Sequence, residues 1–248
     1  PTPSHYRFIA TLVDEKDIYP LNNEKTIVFN TFVQKRDRFL IENFVRKDDE
    51  SSKNVLQDQN ELMENALTSV YTLNYFFHPK DAPYYSDDSA SHKSFYGFNG
   101  YPITVIDGSK RISGHNENYK EELSELIEEV SAHKTFVNLI PGSVKKLINI
   151  TDNSLNFKIA LQNSNSYVFP ETISNLKMFF GVAEKNIEGI PGNTIIYIDK
   201  TTQPTINLKY RMNQSFDWKV NLSSITAIQK ELSVDTFAYF DVVCWLQD

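Results

Sequence analysis

The chain has 248 residues, a formal net charge of -7 at neutral pH and one cysteine. A chain of this length buries a core large enough to fold without disulfides or a structural metal, and one cysteine excludes a scaffold held by internal disulfides. The acidic balance disfavours general nucleic-acid binding, and no apolar run has the length of a membrane-spanning helix. With 8 glycines beside 17 phenylalanines and 13 tyrosines, the composition favours packed sheets over glycine loops that wrap phosphate.

The first part of the chain mixes strand and helix patterns. Residues 6–13 and 26–33 read as two strands separated by an acidic turn that contains proline and asparagine. Residues 39–45, FLIENFV, fit either a third strand or a short helix. A serine cap and a broken apolar stripe predict a helix over 53–65, and alternation predicts a strand over 70–77.

Residues 78–101 form the longest stretch without a regular period. Their aromatic residues argue against simple disorder, because such side chains favour burial. The stretch either covers its own sheet, which we favour, or supplies a tyrosine-rich contact surface for a partner. The candidate contact residues are Tyr84, Tyr85, Phe95, Tyr96, Phe98 and Tyr101, together with Trp245 near the end of the chain.

A short predicted strand, residues 103–106, runs into a turn at Asp107 and Gly108. Residues 102–111, PITVIDGSKR, resemble the strand-to-turn signature Val-Ile-Asp-Gly-x-x-Arg of ParB-like nucleotide-binding and nuclease domains. That resemblance covers ten residues and implies that Arg111 faces a phosphate. A hairpin turn with a surface arginine explains the same residues, and the acidic balance and the β-rich second half do not suit that family.

Residues 116–132 give the clearest helix pattern of the chain. Apolar side chains recur at the helical period, and five glutamates occupy the other side. Such an acidic face is typical of solvated helix surface, because no other metal-ligating residues lie nearby in the sequence.

From residue 135 onward the pattern is nearly all β. Short alternating segments and turn signals recur at close intervals, which is typical of a sandwich or barrel. The sequence therefore predicts a mainly β protein, an antiparallel, jelly-roll-like β-sandwich with one or two inserted helices. We expect a single domain over residues 1–248, with the helix and loop at about 53–132 as an insertion. The predicted strands are 136–140, 146–150, 155–161, 176–182, 194–198, 205–210 and 216–222.

The last apolar stretch, residues 236–246, reads TFAYFDVVCWL and predicts a strand, because β-branched and aromatic residues fill it. Both of its faces are apolar except at Asp241, so we expect it to be covered on both sides. A central core strand is the favoured interpretation, and the alternative is a strand that packs its outer face against another copy of the chain. Cys244 lies within this strand and should behave as a small buried hydrophobic residue.

No local motif indicates catalysis or a cofactor. The sequence lacks a nucleophile elbow, a dinucleotide-binding fingerprint and a P-loop, so we predict no catalytic, cofactor-binding or metal-binding residue. Glycosylation acceptor triplets begin at Asn149, Asn213 and Asn221, and the sequence leaves open whether these residues carry glycans. The histidines show no metal-ligand spacing and are expected to be scattered on the solvent-exposed surface; they are His5, His78, His92, His115 and His133.

These observations favour a structural role over an enzymatic one. We expect a self-assembling protein, viral in origin, such as a capsid, occlusion-body or tail and baseplate component. Its partners would be identical copies, bound through sheet and aromatic loop contacts. The alternatives are a pore-forming toxin and a β-sandwich that binds carbohydrate or protein. No signal-peptide pattern stands at the beginning of the sequence, which favours assembly in the cytoplasm or in a virion.

Overall fold

The computed structural model describes residues 4–11, 24–31, 39–66, 70–77, 86–132, 137–141, 148–149, 152–163, 172–173, 177–185, 187–199, 206, 208–209, 213–221, 223, 225 and 240–247. Its strands are β1 (Ser4–Thr11), β2 (Glu24–Thr31), β3 (Phe39–Val45), β4 (Val70–Phe76), β5 (Ile103–Ile106), β6 (Lys110–Ser113), β7 (Val137–Pro141), β8 (Ile148–Asn149), β9 (Ser154–Asn163), β10 (Thr172–Ile173), β11 (Lys177–Glu184), β12 (Asn193–Ile198), β13 (Leu208–Lys209), β14 (Asn213–Asn221) and β15 (Phe240–Gln247). The helices are α1 (Glu50–Ala66), α2 (Asp87–Phe95) and α3 (Tyr119–Ala132).

A seven-stranded mixed sheet has the strand order β15, β11, β12, β4, β3, β5, β6. Within it, β4 pairs in parallel with both β3 and β12, and the other pairs are antiparallel. The pair β3 and β4 is parallel because α1 lies between them in the chain and carries it back to the starting edge. A four-stranded sheet has β9 paired with β14, β7 and β8, and two small ladders join β1 to β2 and β10 to β13.

The prediction of a mainly β protein is confirmed. The larger sheet is not the all-antiparallel sheet that the sequence suggested, because the β3–α1–β4 crossover makes part of it parallel. The described residues contain three helices instead of one or two. The segment 53–132, predicted as an insertion, contributes β4, β5 and β6 to the seven-stranded sheet. The number of domains stays a prediction.

Strand β3 presents alternate side chains to two different layers, as a strand buried on both faces must. Phe39 and Ile41 pack with α1 and α3 on one face. Phe44 packs on the other face, in a cluster that includes residues of α2. The ambiguous segment 39–45 is therefore a central strand with a helical layer on each side.

At the β11 and β15 end of the sheet, mainly apolar side chains pack on both faces. Phe180 of β11 stacks on Trp218 of β14, with ring centroids 5.3 Å apart, and both belong to one buried apolar cluster. That cluster joins strands of the seven-stranded sheet to β9 and β14 of the four-stranded sheet. Within it, the indole nitrogen of Trp218 donates a hydrogen bond of 2.5 Å to the buried carboxylate of Asp199.

Strand β15 is covered on both faces, as the sequence predicts. Val242 and Cys244 pack against the cluster shared with the four-stranded sheet, whereas Val243 and Trp245 pack on the α2 face. The favoured position at the centre of a sheet is wrong for the described residues, in which β15 pairs with β11 and ends the strand order. Burial of both faces had suggested a central strand, but flanking layers cover an edge strand equally well.

The turn at Asp107 and Gly108 joins β5 to β6 as a tight hairpin. Both residues have positive φ, 53° and 69°, which is the conformation of a type I′ turn. Arg111 follows on β6 and is exposed. The structure thus has the hairpin with a surface arginine that explained this segment without a phosphate site.

In the described part of the chain, no helix is long and apolar enough to cross a membrane.

Candidate functional site

Four of the seven aromatic residues predicted as a contact surface lie together on the α2 face of the larger sheet. They are Phe95, Tyr96, Phe98 and Trp245, each buried or half-buried in one apolar cluster. Tyr101 lies apart from them and is 42% exposed. Tyr84 and Tyr85 lie outside the described residues. The described part of this stretch covers its own sheet, and its role in binding a partner stays a prediction.

The aromatic cluster encloses one carboxylate, that of Glu42 on β3, which has no exposed surface. Tyr75 donates its phenol proton to Oε1 over 2.8 Å, Nε2 of His92 lies 2.8 Å from the same oxygen, and Tyr96 donates to Oε2. Burial first, and the charge of Glu42 second, raise the pKa of both Tyr75 and Tyr96 above the ordinary range of tyrosine. The phenols therefore stay protonated and remain donors to the carboxylate.

His92 lies inside a cage of aromatic rings. Its ring stacks on Tyr75 and on Phe95, with centroid distances of 5.0 and 5.9 Å. The edges of Phe179 and Trp245 complete the cage at 5.0 and 5.7 Å. These rings keep water away from the imidazole, so its hydrogen bond to Glu42 lies in a medium of low dielectric constant.

Helix α2 positions this imidazole, and the sequence interpretation missed that helix. Its N-cap is Ser86, whose hydroxyl accepts hydrogen bonds from the backbone nitrogens of Asp88 and Ser89. Buried Ser89 and His92 lie one turn apart on the face toward the sheet. The helix is short and polar, so its apolar period is weak. The available signal was the serine cap followed by residues 89, 92, 95 and 96 at helical spacing.

Glu42 and His92 lie within hydrogen-bond distance of each other, but the site encloses them. Their exposed fractions are 0% and 4%, and two phenol donors and the imidazole already surround the carboxylate. A buried carboxylate with this many donors is a stable polar centre that fixes the side chains around it. The arrangement therefore fastens α2 to the sheet.

A second polar network lies on the opposite face of the same strands. Asn43 and Gln59 exchange two amide hydrogen bonds of 2.6 and 2.7 Å, and Asn43 also donates to Asn74. Gln59 donates to the phenol of Tyr119, which lies 2.7 Å from the hydroxyl of Thr104. Burial raises the pKa of Tyr119 to about 12. The network is made of neutral groups and joins α1 and α3 to three strands.

The beginning of α1 forms a third polar region. Asp49 caps α1, because its carboxylate accepts hydrogen bonds of 2.7 Å from both the backbone nitrogen and the hydroxyl of Ser52. Arg46 forms two hydrogen bonds to Asp48 and donates to the phenol of Tyr101 over 2.6 Å. Tyr101 precedes Pro102, and the peptide bond between them is cis. These contacts hold the loop before α1 against the loop before β5.

An open groove of about 610 Å³ lies between α1 and residues 187–191. One wall carries polar side chains of α1, among them Lys53, Gln57 and Glu61, and the other carries Ile187 and Pro191. It lies on the α1 side of the sheet, away from the Glu42 cluster. The groove and the buried carboxylate are therefore separate features.

The histidine prediction is partly wrong. His92 is buried because the carboxylate of Glu42 and the aromatic cage stabilise it there. His115 is half-buried and pairs with Asp58 at 2.8 Å. The side chains of His5, His78 and His133 are not among those described. Among the described residues, no three acidic, histidine or cysteine side chains converge as metal ligands.

No protein-family model and no curated protein matches this chain. Five solved chains are similar to it in structure. HBP35 of Porphyromonas gingivalis is 10% identical, with a TM-score of 0.58 over 86% of this chain and 70% of that one. Protein AGR_C_4864 from Agrobacterium tumefaciens is 12% identical, with a TM-score of 0.47 over 79% of this chain and 84% of that one. The similarity to HBP35 concerns the fold alone.

Proposed function

We propose that this protein is not an enzyme and that it works by binding copies of itself along the edges of its β-sheets. The observation that carries the proposal is a pair of long strands, β14 and β15, each of which ends the strand order of its sheet among the described residues. They have nine and eight residues, contain no proline, and pair with their neighbours without a break in register. Proteins that must stay monomeric protect such edges with prolines, bulges, very short strands or charged side chains, because the open edge is a template for pairing. Of these devices β14 has charged side chains alone, those of Asp217 and Lys219.

The placement of the reactive groups supports a non-enzymatic role. Glu42 and His92 are enclosed by aromatic rings and bound to each other. Burial raises the pKa of the Cys244 thiol well above its usual range, which disfavours the nucleophilic thiolate. The polar groups of the described site are therefore engaged in holding the fold.

The order of elements from β3 to α3 gives further support. It runs strand, helix, strand, helix, two strands, helix, with α1 and α3 on one face of the sheet and α2 on the other. A Cys-x-x-Cys pair beside such a βαβ unit would indicate redox chemistry, and the one cysteine of this chain is Cys244 in β15. At the beginning of α1, Asp49 and Ser52 bind each other as a helix cap. We infer that this unit serves as a scaffold for binding.

Sedimentation velocity with light scattering over a concentration series tests the proposed function. We expect an average mass that rises above that of one chain as concentration increases. A Tyr101→Ala variant should associate like the wild type, because the proposal assigns the contact to strand edges. Loss of association in that variant would assign the contact to the exposed aromatic residue instead. A single-chain mass at every concentration would contradict self-association altogether.

The narrower predictions from the sequence, a viral origin and a capsid, occlusion-body or tail role, rest on the sequence pattern and stay predictions. The pore-forming and carbohydrate-binding alternatives have the same standing. Self-association is common to the favoured roles, so the mass measurement is the first experiment for each of them.

A further inference from the structure

We propose that two copies of the chain associate through β14, which pairs antiparallel with β14 of the second copy about a two-fold axis at Trp218. The inference rests on the proposed function and names the surface and the partner for it. In the described part of the chain, β14 ends the strand order of its sheet, with β9 on its other side. Pairing across that edge would join two four-stranded sheets into one continuous sheet.

The two faces of β14 restrict the registers that are possible. Trp218 and Val220 point into the core, and their exposed fractions are 2% and 7%. Ser215, Asp217 and Lys219 alternate with them and are exposed. A continuous sheet keeps both inner faces on the same side only when exposed residues of one copy lie opposite exposed residues of the other.

Charge then selects one register from this restricted set. An axis at Asp217 pairs the full length of the strand but places two carboxylates opposite each other, and an axis at Lys219 opposes two ammonium groups. An axis at Trp218 places Asp217 opposite Lys219 of the second copy at two symmetric positions. Opposite charges directly across an antiparallel pair stabilise it, and like charges destabilise it. The strand is therefore self-complementary about Trp218.

The neighbouring strand supplies a lysine that fits the same pattern. Asp217 lies opposite Lys158 of β9, and their charged atoms are 3.2 Å apart. Lys219 lies opposite the neutral Asn156. In the dimer each Asp217 would lie between Lys158 of its own chain and Lys219 of the second copy, which gives Lys219 a carboxylate partner.

Strand β15, the other long edge, lacks this complementarity. Its charged residue is Asp241, which already binds Lys185 at 3.0 Å and accepts a hydrogen bond of 2.8 Å from the phenol of Tyr71. No basic residue in β15 could oppose it in a symmetric pair. Charge therefore favours β14 as the strand that binds a second copy.

Charge reversal tests the proposal on the full chain. Asp217→Lys and Lys219→Asp each place like charges opposite each other at both positions of the symmetric pair. Each variant alone should show a dimer dissociation constant raised about tenfold or more. The double variant D217K/K219D should associate like the wild type. An equimolar mixture of the two single variants should form heterodimers, because positions 217 and 219 then carry opposite charges wherever the two chains face each other.

Sedimentation velocity measures the dissociation constants, and native mass spectrometry of the mixture identifies heterodimers. Arg111→Asp on β6 and Glu121→Lys on α3 are matched controls, since both are exposed and change the net charge equally away from β14. We expect wild-type association for both. Thermal unfolding of every variant verifies that the fold is retained.

The outcomes separate this inference from the proposed function. If the wild type associates and both single variants associate as strongly, the β14 interface is wrong and self-association still stands. If the wild type has the mass of one chain at all concentrations, both proposals are wrong. Stronger association of Lys219→Asp alone would overturn the interface, because Lys219 would then protect the edge against pairing.

Discussion

At the β3 end of the seven-stranded sheet, polar networks are buried on both faces, whereas the β11 and β15 end is packed mainly with apolar side chains on both faces. Glu42 and Asn43 anchor separate hydrogen-bond networks beneath α2 and α1. At the other end, Phe180 and Trp218 stack in an apolar cluster shared with the four-stranded sheet. Apolar burial supplies most of the free energy of folding, while satisfied polar networks chiefly fix one arrangement of the parts. The two ends should therefore respond differently to substitution.

The largest effect is expected at the apolar end. Trp218→Ala should lower the free energy of unfolding by about 3–5 kcal/mol, because it leaves a cavity in the core. It also removes the indole donor from buried Asp199. Trp218→Phe retains most of the ring stacking and removes that donor, so a loss of about 1–3 kcal/mol is expected. Denaturant unfolding of both variants measures the difference, and equal losses would show that ring packing contributes little here.

A smaller effect is expected at the polar end. Glu42→Gln keeps the shape of the side chain but places an amide among two phenol donors and the imidazole of His92, so we expect a loss of about 1.5–3 kcal/mol. Near-ultraviolet circular dichroism should change as well, because the surrounding rings would reorient. Glu121→Gln on the exposed face of α3 is the matched control and should change stability by less than about 0.5 kcal/mol. A Glu42→Gln variant that unfolds like this control would contradict the proposed role of the carboxylate.

The smallest effect concerns pH. The pKa of Tyr119 is about 12 in the folded chain because of burial, against about 10 for an exposed tyrosine. The unfolded chain therefore loses this proton first, so stability is retained below about pH 10 and falls as pH rises toward the folded pKa. We expect Tyr119 to account for a loss of roughly 1 kcal/mol between pH 9 and 11.

The contribution of Tyr119 is isolated by measuring the free energy of unfolding of the wild type and of Tyr119→Phe over this pH range. The wild-type slope also contains Tyr197, whose pKa burial raises to about 12. Only the part due to Tyr119 should disappear in the variant, whatever its stability at neutral pH. Identical slopes for the two proteins would show that burial does not raise the pKa of Tyr119.

Much of the β structure could be predicted from alternation, because alternating burial is a local property. Residues 70–77, 155–161 and 216–222 alternate and fall largely within β4, β9 and β14. The helical period over residues 116–132 likewise predicted α3, which begins at Tyr119. The parallel pairing of β3 with β4 was missed, because a strand pattern carries no information about the direction of its neighbour.

The polar centre at Glu42 could not be predicted from the sequence for a different reason. Its donors are 33 to 54 residues away, so the cluster exists only after the strands pair and α2 docks. The available local signal was the pair Glu42 and Asn43 within an otherwise apolar strand. A buried polar side chain in such a position needs partners, which indicates two networks without naming their members.

Because Glu42 and Asn43 are adjacent in β3 but point to opposite faces, the strand can dock in only one way. A shift of one residue would exchange the carboxylate and the amide between the aromatic cage and the neutral network. The carboxylate would then lose its phenol and imidazole partners, and the cage would receive an amide in place of an anion. Two neighbouring side chains thus fix the alignment of β3 with both helical layers.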